Sequence, residues 1–225
     1  GSNEGHQHEL GRALTFMGDI LLGQAQFDPA LENYRRAYGI RQKLVATKPD
    51  NQLYLRAIAE SSGKIGQLHY KRKQFPEALA DYGDALRINQ QLVDTDKSNA
   101  LRQRDLSSTL NALGDVLEGQ GMHARALDRY QQSLAIAKEL AGRDPRNSDL
   151  KFEVASALVG IAFIQRKIEK GEEAMANYTT AHQIITELAE GAKGDARWPR
   201  HLKRIESDMA IMRETAAGRV TVHKV

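Results

Sequence analysis

The sequence predicts an all-α protein, an α-α superhelix in which four helix-turn-helix units stack and one further helix closes the end. Three observations predict it. Slid against itself by 48 residues, the chain matches column by column: Gly18 falls on Gly66, Gly114 and Ala162, Ala30 on Ala78, Ala126 and Ala174, and Tyr34 on Tyr82, Tyr130 and Tyr178. Ile40 and Leu44 head two more such columns. A fixed period of this size marks a solenoid, whose units cannot bury their apolar faces alone and stack on their neighbours. Within each unit the apolar residues recur at helical spacing. Finally, 27% of residues are charged and only 6% aromatic, which suits exposed helices packed through small and aliphatic side chains.

The elements follow in order. Gly1 and Ser2 look like an expression remnant, and residues 1–8 are expected to be that scar plus a frayed end, so the array begins with a shortened first helix carrying Leu10, Leu14 and Met17. One solenoid then spans residues 9–216, with repeats near 9–48, 49–96, 97–144 and 145–192, a capping helix over 195–216 and a tail over 217–225. In the second repeat the first helix runs from about Asn51 to Arg72, with Ile58, Ser62, Ile65, Gly66 and His69 on one stripe. The second starts near Phe75-Pro76-Glu77, with Pro in the first turn where its missing N–H costs nothing. Asn51, Asn99, Asn147 and Asp195 recur as N-caps. Pro49 and Pro145 stand just before, where a helix must already have ended. Trp198, Leu202, Ile205, Met209 and Met212 continue the first-helix register beyond the fourth repeat, as half a repeat capping the stack.

The order and spacing of Gly18, Ala30, Tyr34 and Ala37, repeated as Gly66, Ala78, Tyr82, Ala85 and as Gly114, Ala126, Tyr130, resemble the tetratricopeptide repeat. Phe27 and Phe75 match its aromatic near the turn, and Gly121 its turn glycine. The usual repeat is about 34 residues, so about 14 are added per unit here, some four extra turns. The chain is thus similar to the long-helix arrays of bacterial multidomain signalling proteins. It departs from the pattern at Leu14, Ser62, Leu110 and Leu158, at Ser133, and in the fourth repeat at Ala162, Phe163 and Gly171. Less regular packing is expected there.

The resemblance implies a non-catalytic scaffold or sensor that binds a protein or peptide segment in a concave groove lined by the first helices. If positions 14, 17, 18 and 21 point into the stack, positions 15, 19, 22 and 23 turn toward that groove. The expected binding residues are Asp19, Gln67, Tyr70, Lys71, Asn111, Asp115, Glu118, Phe163, Arg166 and Lys167, a face that varies while the buried columns stay fixed. A Lys-and-Asn clamp for a peptide carboxylate is not formed, because Thr15, Asp19, Gly63 and Gln67 stand where it would be. A self-assembly module is the alternative reading, with a monomer favoured over a homo-oligomer.

Other chemistries fit poorly. A net charge of +3 is too mild to argue for nucleic acid or a membrane surface. No apolar run approaches the roughly 18 residues of a membrane span. The chain has no cysteine, which excludes disulfides and thiol catalysis and agrees with a cytoplasmic setting. The carboxylates stand singly, the glycines fall in repeat columns rather than in a phosphate loop, and His69, His123 and His182 occupy packing positions. No enzyme activity, metal or cofactor is expected. Arg197, Arg200, Lys203 and Arg204 are interrupted by acidic residues, as on a solvated cap.

Overall fold

The computed structural model describes residues 2–192, 195 and 197–216. Among them run nine α-helices and no strand: α1 (Ser2–Gly23), α2 (Phe27–Thr47), α3 (Gln52–Lys71), α4 (Phe75–Thr95), α5 (Ala100–Gly119), α6 (His123–Arg143), α7 (Ser148–Lys167), α8 (Gly171–Gly191) and α9 (Arg197–Ala216). Where the sequence reads one array, the helices fall into two compact units, residues 1–120 and 121–225. In the first, α1 to α5 pack each on the next, and α1 also touches α3 and α3 touches α5. In the second, α6 packs on α7, α7 on α8 and α8 on α9.

The helix boundaries have local causes. Asn51 accepts hydrogen bonds from the backbone N–H groups of Leu53 and Tyr54 at 3.0 and 3.2 Å. Asn99 accepts one from Arg102 and Asn147 one from Leu150, both at 3.2 Å. These side chains satisfy donors that an α-helix leaves open at its N-terminus. The short turn from each first helix to its second uses another device. Ala25, Lys73, Gly121 and Glu169 all take positive φ, and they fall in one repeat column. After three of them the next N–H reaches back five residues: Gln26 to Leu21 at 2.9 Å, Gln74 to His69 at 2.9 Å and Lys170 to Gln165 at 2.8 Å. This is the left-handed helix stop that glycine favours. Only the third repeat uses glycine there.

The repeat columns form the core. Ala30, Ala78, Ala126 and Ala174 have no exposed surface, and Tyr34, Tyr82, Tyr130 and Tyr178 are buried beside them. Three of these tyrosines lie against a helical glycine. A Cβ on Gly18 would lie 2.4 Å from the Tyr34 ring, one on Gly66 3.0 Å from the Tyr82 ring, and one on Gly160 2.6 Å from the Tyr130 ring. Tyr34 also donates from its hydroxyl to Asp19 at 2.8 Å.

Three expectations need correction. Residues 2–8 are not frayed: they are the first turns of a full-length α1. Glu4 pairs with Lys48 of α2, and the His8 ring lies 5.8 Å from that of Tyr54. Leu10 and Met17 are not core residues: both are exposed. The fourth repeat is not loosely packed. Ala174, Tyr178, Ala181, Ile185 and Leu188 of α8 are as buried as their counterparts, because Ala162 is small enough to keep the approach close. Trp198, Ile205 and Met209 of α9 join the same core, so α9 caps α8 as expected. Gly1 and the tail over 217–225 lie outside the described residues.

Candidate functional site

Unit 1 carries two open clefts on the face made by its first-type helices. The first, about 440 Å³, lies between α1 and α3. Its walls are His8, Arg12, Phe16 and Asp19 on one side and Leu53, Arg56 and Glu60 on the other, and Arg41 of α2 forms its floor. The second, about 350 Å³, lies between α3 and α5. Gln67, Lys64 and Gly63 face Asp105, Ser108 and Ala112 across it, over a floor of Tyr82 and Asn89 from α4. Arg56 and Glu60 line both clefts.

The two floors repeat one design. Arg41 donates from Nη1 to the Ala57 carbonyl at 3.0 Å and to Ser61 Oγ at 2.6 Å. Forty-eight residues on, Asn89 donates from Nδ2 to the Asp105 carbonyl at 3.4 Å and to Thr109 Oγ1 at 3.0 Å. The columns coincide: 41 with 89, 57 with 105, 61 with 109. In unit 2 the same floor column holds Ala137 and Ile185, both buried in apolar core. Burying a polar group costs free energy unless it is hydrogen-bonded. Unit 1 therefore keeps polar floors only by supplying a carbonyl and a hydroxyl to each.

Arg41 is the extreme case. Its guanidinium is 1% exposed, and its countercharge is Glu60, at 3.4 Å and 52% exposed. Its Nε has no hydrogen-bond partner and faces Gly11, where a Cβ would come within 3.4 Å. Burial pushes the guanidinium below its ordinary value, and Glu60 opposes that shift. The other charges around the first cleft are committed elsewhere. Asp19 accepts from Lys64 Nζ at 2.7 Å as well as from Tyr34. Arg56 makes a two-point pair with Asp105 at 2.5 and 3.2 Å. Arg12 pairs with Glu9 at 3.1 Å on the surface.

Of the residues predicted for the groove, the structure brings Asp19 and Gln67 to the clefts. Tyr70 instead packs against Phe75, ring centres 6.1 Å apart, beside the core around Tyr82. Lys71 is exposed at the last residue of α3, and Asn111, Asp115 and Glu118 are half-buried on α5 outside both linings. Phe163, Arg166 and Lys167 belong to unit 2, where both cations sit over the Phe163 ring at 5.1 and 5.5 Å. Arg166 was expected on the groove face. It is mostly buried and pairs with Asp208 of α9 at 3.4 Å. The cleft residues the sequence reading missed, Arg12, Phe16, Arg41, Arg56 and Asn89 among them, lie nearer the N-terminal halves of the first helices or on the second helices. Their signal was a column that matches in position but changes from Arg and Asn to Ala and Ile.

Among the described residues no three His, Cys, Asp or Glu side chains are grouped to hold a metal ion, and no helix is long and apolar enough to cross a membrane. The tetratricopeptide repeat family model matches residues 56–139. No curated protein matches the chain. Solved structures similar to it include the apo form of RapI (17% identity, TM-score 0.58, 88% of this chain and 48% of that one). BtubC from P. vanneervenii is another (16%, 0.62, 97% and 83%), and so is a Rap protein complexed with competence and sporulation factor (18%, 0.61, 92% and 52%). The chain spans about half the length of the two Rap proteins, and at these identities the likeness is one of fold. Helix pairs of one length, with small residues and a buried tyrosine in fixed columns, thus extend to both sides of residues 56–139, the segment that is similar to the tetratricopeptide repeat family.

Proposed function

We propose that the protein is a non-catalytic interaction scaffold that binds an extended segment of a partner protein along the first-helix face of unit 1. A carboxylate of the segment sits at the Arg41 cleft and a backbone amide at the Asn89 cleft. The observation that carries this reading is the buried guanidinium of Arg41, fixed by Ala57 and Ser61 while Glu60, the carboxylate paired with it, is half exposed. A cation held rigidly against a displaceable countercharge is a receptor for another carboxylate. Phe16 and Leu53, both exposed, offer apolar contact beside it. The complex of a similar Rap protein with competence and sporulation factor lends the fold-level analogy. Arg166 and Lys167 are not part of this site.

Selection of a random peptide library on the immobilised chain tests the proposal. Selected peptides are expected to carry a carboxylate. Their affinity should fall about tenfold or more in Arg41→Met, the loss of a hydrogen bond to a charged group. An apolar floor is tolerated at Ala137 and Ile185, so the variant should keep its helical circular dichroism. Equal affinity for both proteins would overturn the assignment.

A further inference from the structure

The two clefts of unit 1 are built from the same columns, but the charges in those columns differ. Around the second cleft three matched positions hold Glu60 of α3, Ser108 of α5 and, on the floor, Asn89. One period earlier the same positions of the first cleft hold Arg12 of α1, Glu60 of α3 and the floor guanidinium of Arg41. A carboxylate, a hydroxyl and an amide in one cleft thus become two cations and a carboxylate in the other.

The two cations meet because of Gly11. Arg41 Nε faces Gly11, where a Cβ would come within 3.4 Å, and Arg12 is the next residue of α1. The column of Gly11 holds Ala59, Ser107 and Ala155 in the other repeats. Burial depresses the Arg41 guanidinium, Glu60 opposes the shift, and Arg12 adds to it by like-charge repulsion. Neither cation has a strong anionic partner. Glu60 lies 3.4 Å from Arg41 Nη2, beyond the about 2.7–2.9 Å of a charge-assisted hydrogen bond. Arg12 pairs with Glu9 three residues before it, both side chains 64% exposed, the kind of pair that contributes least. The remaining charges of the cleft are taken: Arg56 by Asp105, and Asp19 by Lys64 and Tyr34.

We infer that the first cleft is a receptor for a dianion, the phosphoryl group of a phosphorylated side chain on the partner segment. This rests on the groove reading above and narrows it, a carboxylate being the weaker occupant. A carboxylate brings one charge and two oxygens; set on Arg41 in place of Glu60, it leaves Arg12 unserved. A phosphoryl group brings a charge of about −1.5 to −2 and three acceptor oxygens. One oxygen serves Arg41 Nη2, and two serve the fork of Arg12 once it swings from Glu9. Arg41 is fixed by Ala57 and Ser61, so only Arg12 moves. Clustered arginines recognise phosphorylated segments by this chemistry.

The test uses three fluorescein-labelled nonapeptide mixtures, degenerate on both sides of a central phosphoserine, glutamate or serine, titrated with the protein by anisotropy. The phosphoserine mixture should bind at least about tenfold more tightly than the glutamate mixture, and the serine mixture most weakly. Arg12→Gln should bring the first two within about twofold of each other, because one guanidinium then serves either anion. Glu60→Gln should tighten both, since no internal carboxylate is left to displace. Arg200→Gln, which removes a cation from the exposed face of α9, should change neither. Phosphoserine and glutamate mixtures bound alike, both weakened by Arg41→Met, would overturn the phosphoryl group and leave the groove reading standing. Binding of no mixture overturns both. A phosphoserine preference that survives Arg12→Gln, or that falls equally in Arg200→Gln, overturns the site. Inorganic phosphate that competes at concentrations equal to the phosphoserine mixture overturns the peptide as the source of the anion.

Discussion

Alanine substitutions at three helical glycines should differ in sign. Each gains about 1 kcal/mol of helix propensity, so the outcome depends on what the new Cβ meets. At Gly18 it would stand 2.4, 2.6 and 3.0 Å from three carbons of the Tyr34 ring. To reach an ordinary carbon contact of about 3.5 Å the ring must retreat by about 1 Å. Tyr34 is fully buried and its hydroxyl is held by Asp19 at 2.8 Å, so it has nowhere to go without parting α1 from α2 or stretching that hydrogen bond. Overpacking of this kind costs about 1–3 kcal/mol and weakening a hydrogen bond to a carboxylate up to about 1.5–3. Net destabilisation of about 1–3 kcal/mol follows for Gly18→Ala. At Gly66 the nearest atoms lie at 3.0, 3.1 and 3.2 Å. A shift of a few tenths of an ångström relieves them, and the substitution should fall within about 0.5 kcal/mol of neutral. At Gly39, in the interior of α2, a Cβ meets nothing within 4 Å, and Gly39→Ala should stabilise by about 1 kcal/mol. Urea midpoints from circular dichroism at 222 nm rank the three. A Gly18→Ala protein as stable as Gly39→Ala would refute the close approach of α1 and Tyr34.

Lys73 holds positive φ at a helix stop, so Lys73→Gly should stabilise by up to about 1 kcal/mol, read as a raised urea midpoint. Trp198 is 2% exposed in the core that joins α7, α8 and α9; Trp198→Ala should destabilise unit 2 by about 3–5 kcal/mol, measured by thermal unfolding. Arg166→Glu would set a carboxylate against Asp208 and should lower the melting temperature, whereas Lys167→Glu, at an exposed position, should leave it nearly unchanged. Equal melting temperatures for those two variants would show that the Arg166–Asp208 pair carries no weight.

Helix ends, caps and core columns were legible because their causes are local or periodic. Asn51 caps by reaching two or three residues on, and the contact of Tyr34 with Gly18 recurs one period later as Tyr82 with Gly66. The binding face was less legible. A rotation of one residue about a helix is 100°, and placing Met17 in the core turned the expected groove toward the helix C-termini. Arg41 and Asn89 escaped notice because period matching rewards columns that stay the same, and theirs changes. Arg166 was misjudged because its partner, Asp208, stands on another helix where no periodicity points. The left-handed turns at Ala25, Lys73 and Glu169 carry no glycine to announce them.

Arg56 and Glu60 stand in the wall that the two clefts of unit 1 have in common. Sites that share a wall are not independent. A carboxylate that took the place of Glu60 at Arg41 would release a negative charge on the wall of the second cleft, which Arg56 and Lys64 also line. Whatever binds at Asn89 then meets a different field according to whether the first cleft is filled. By linkage the reverse holds with the same free energy. A segment long enough to occupy both clefts would be read as a unit, its two halves differing in affinity from the same halves offered apart.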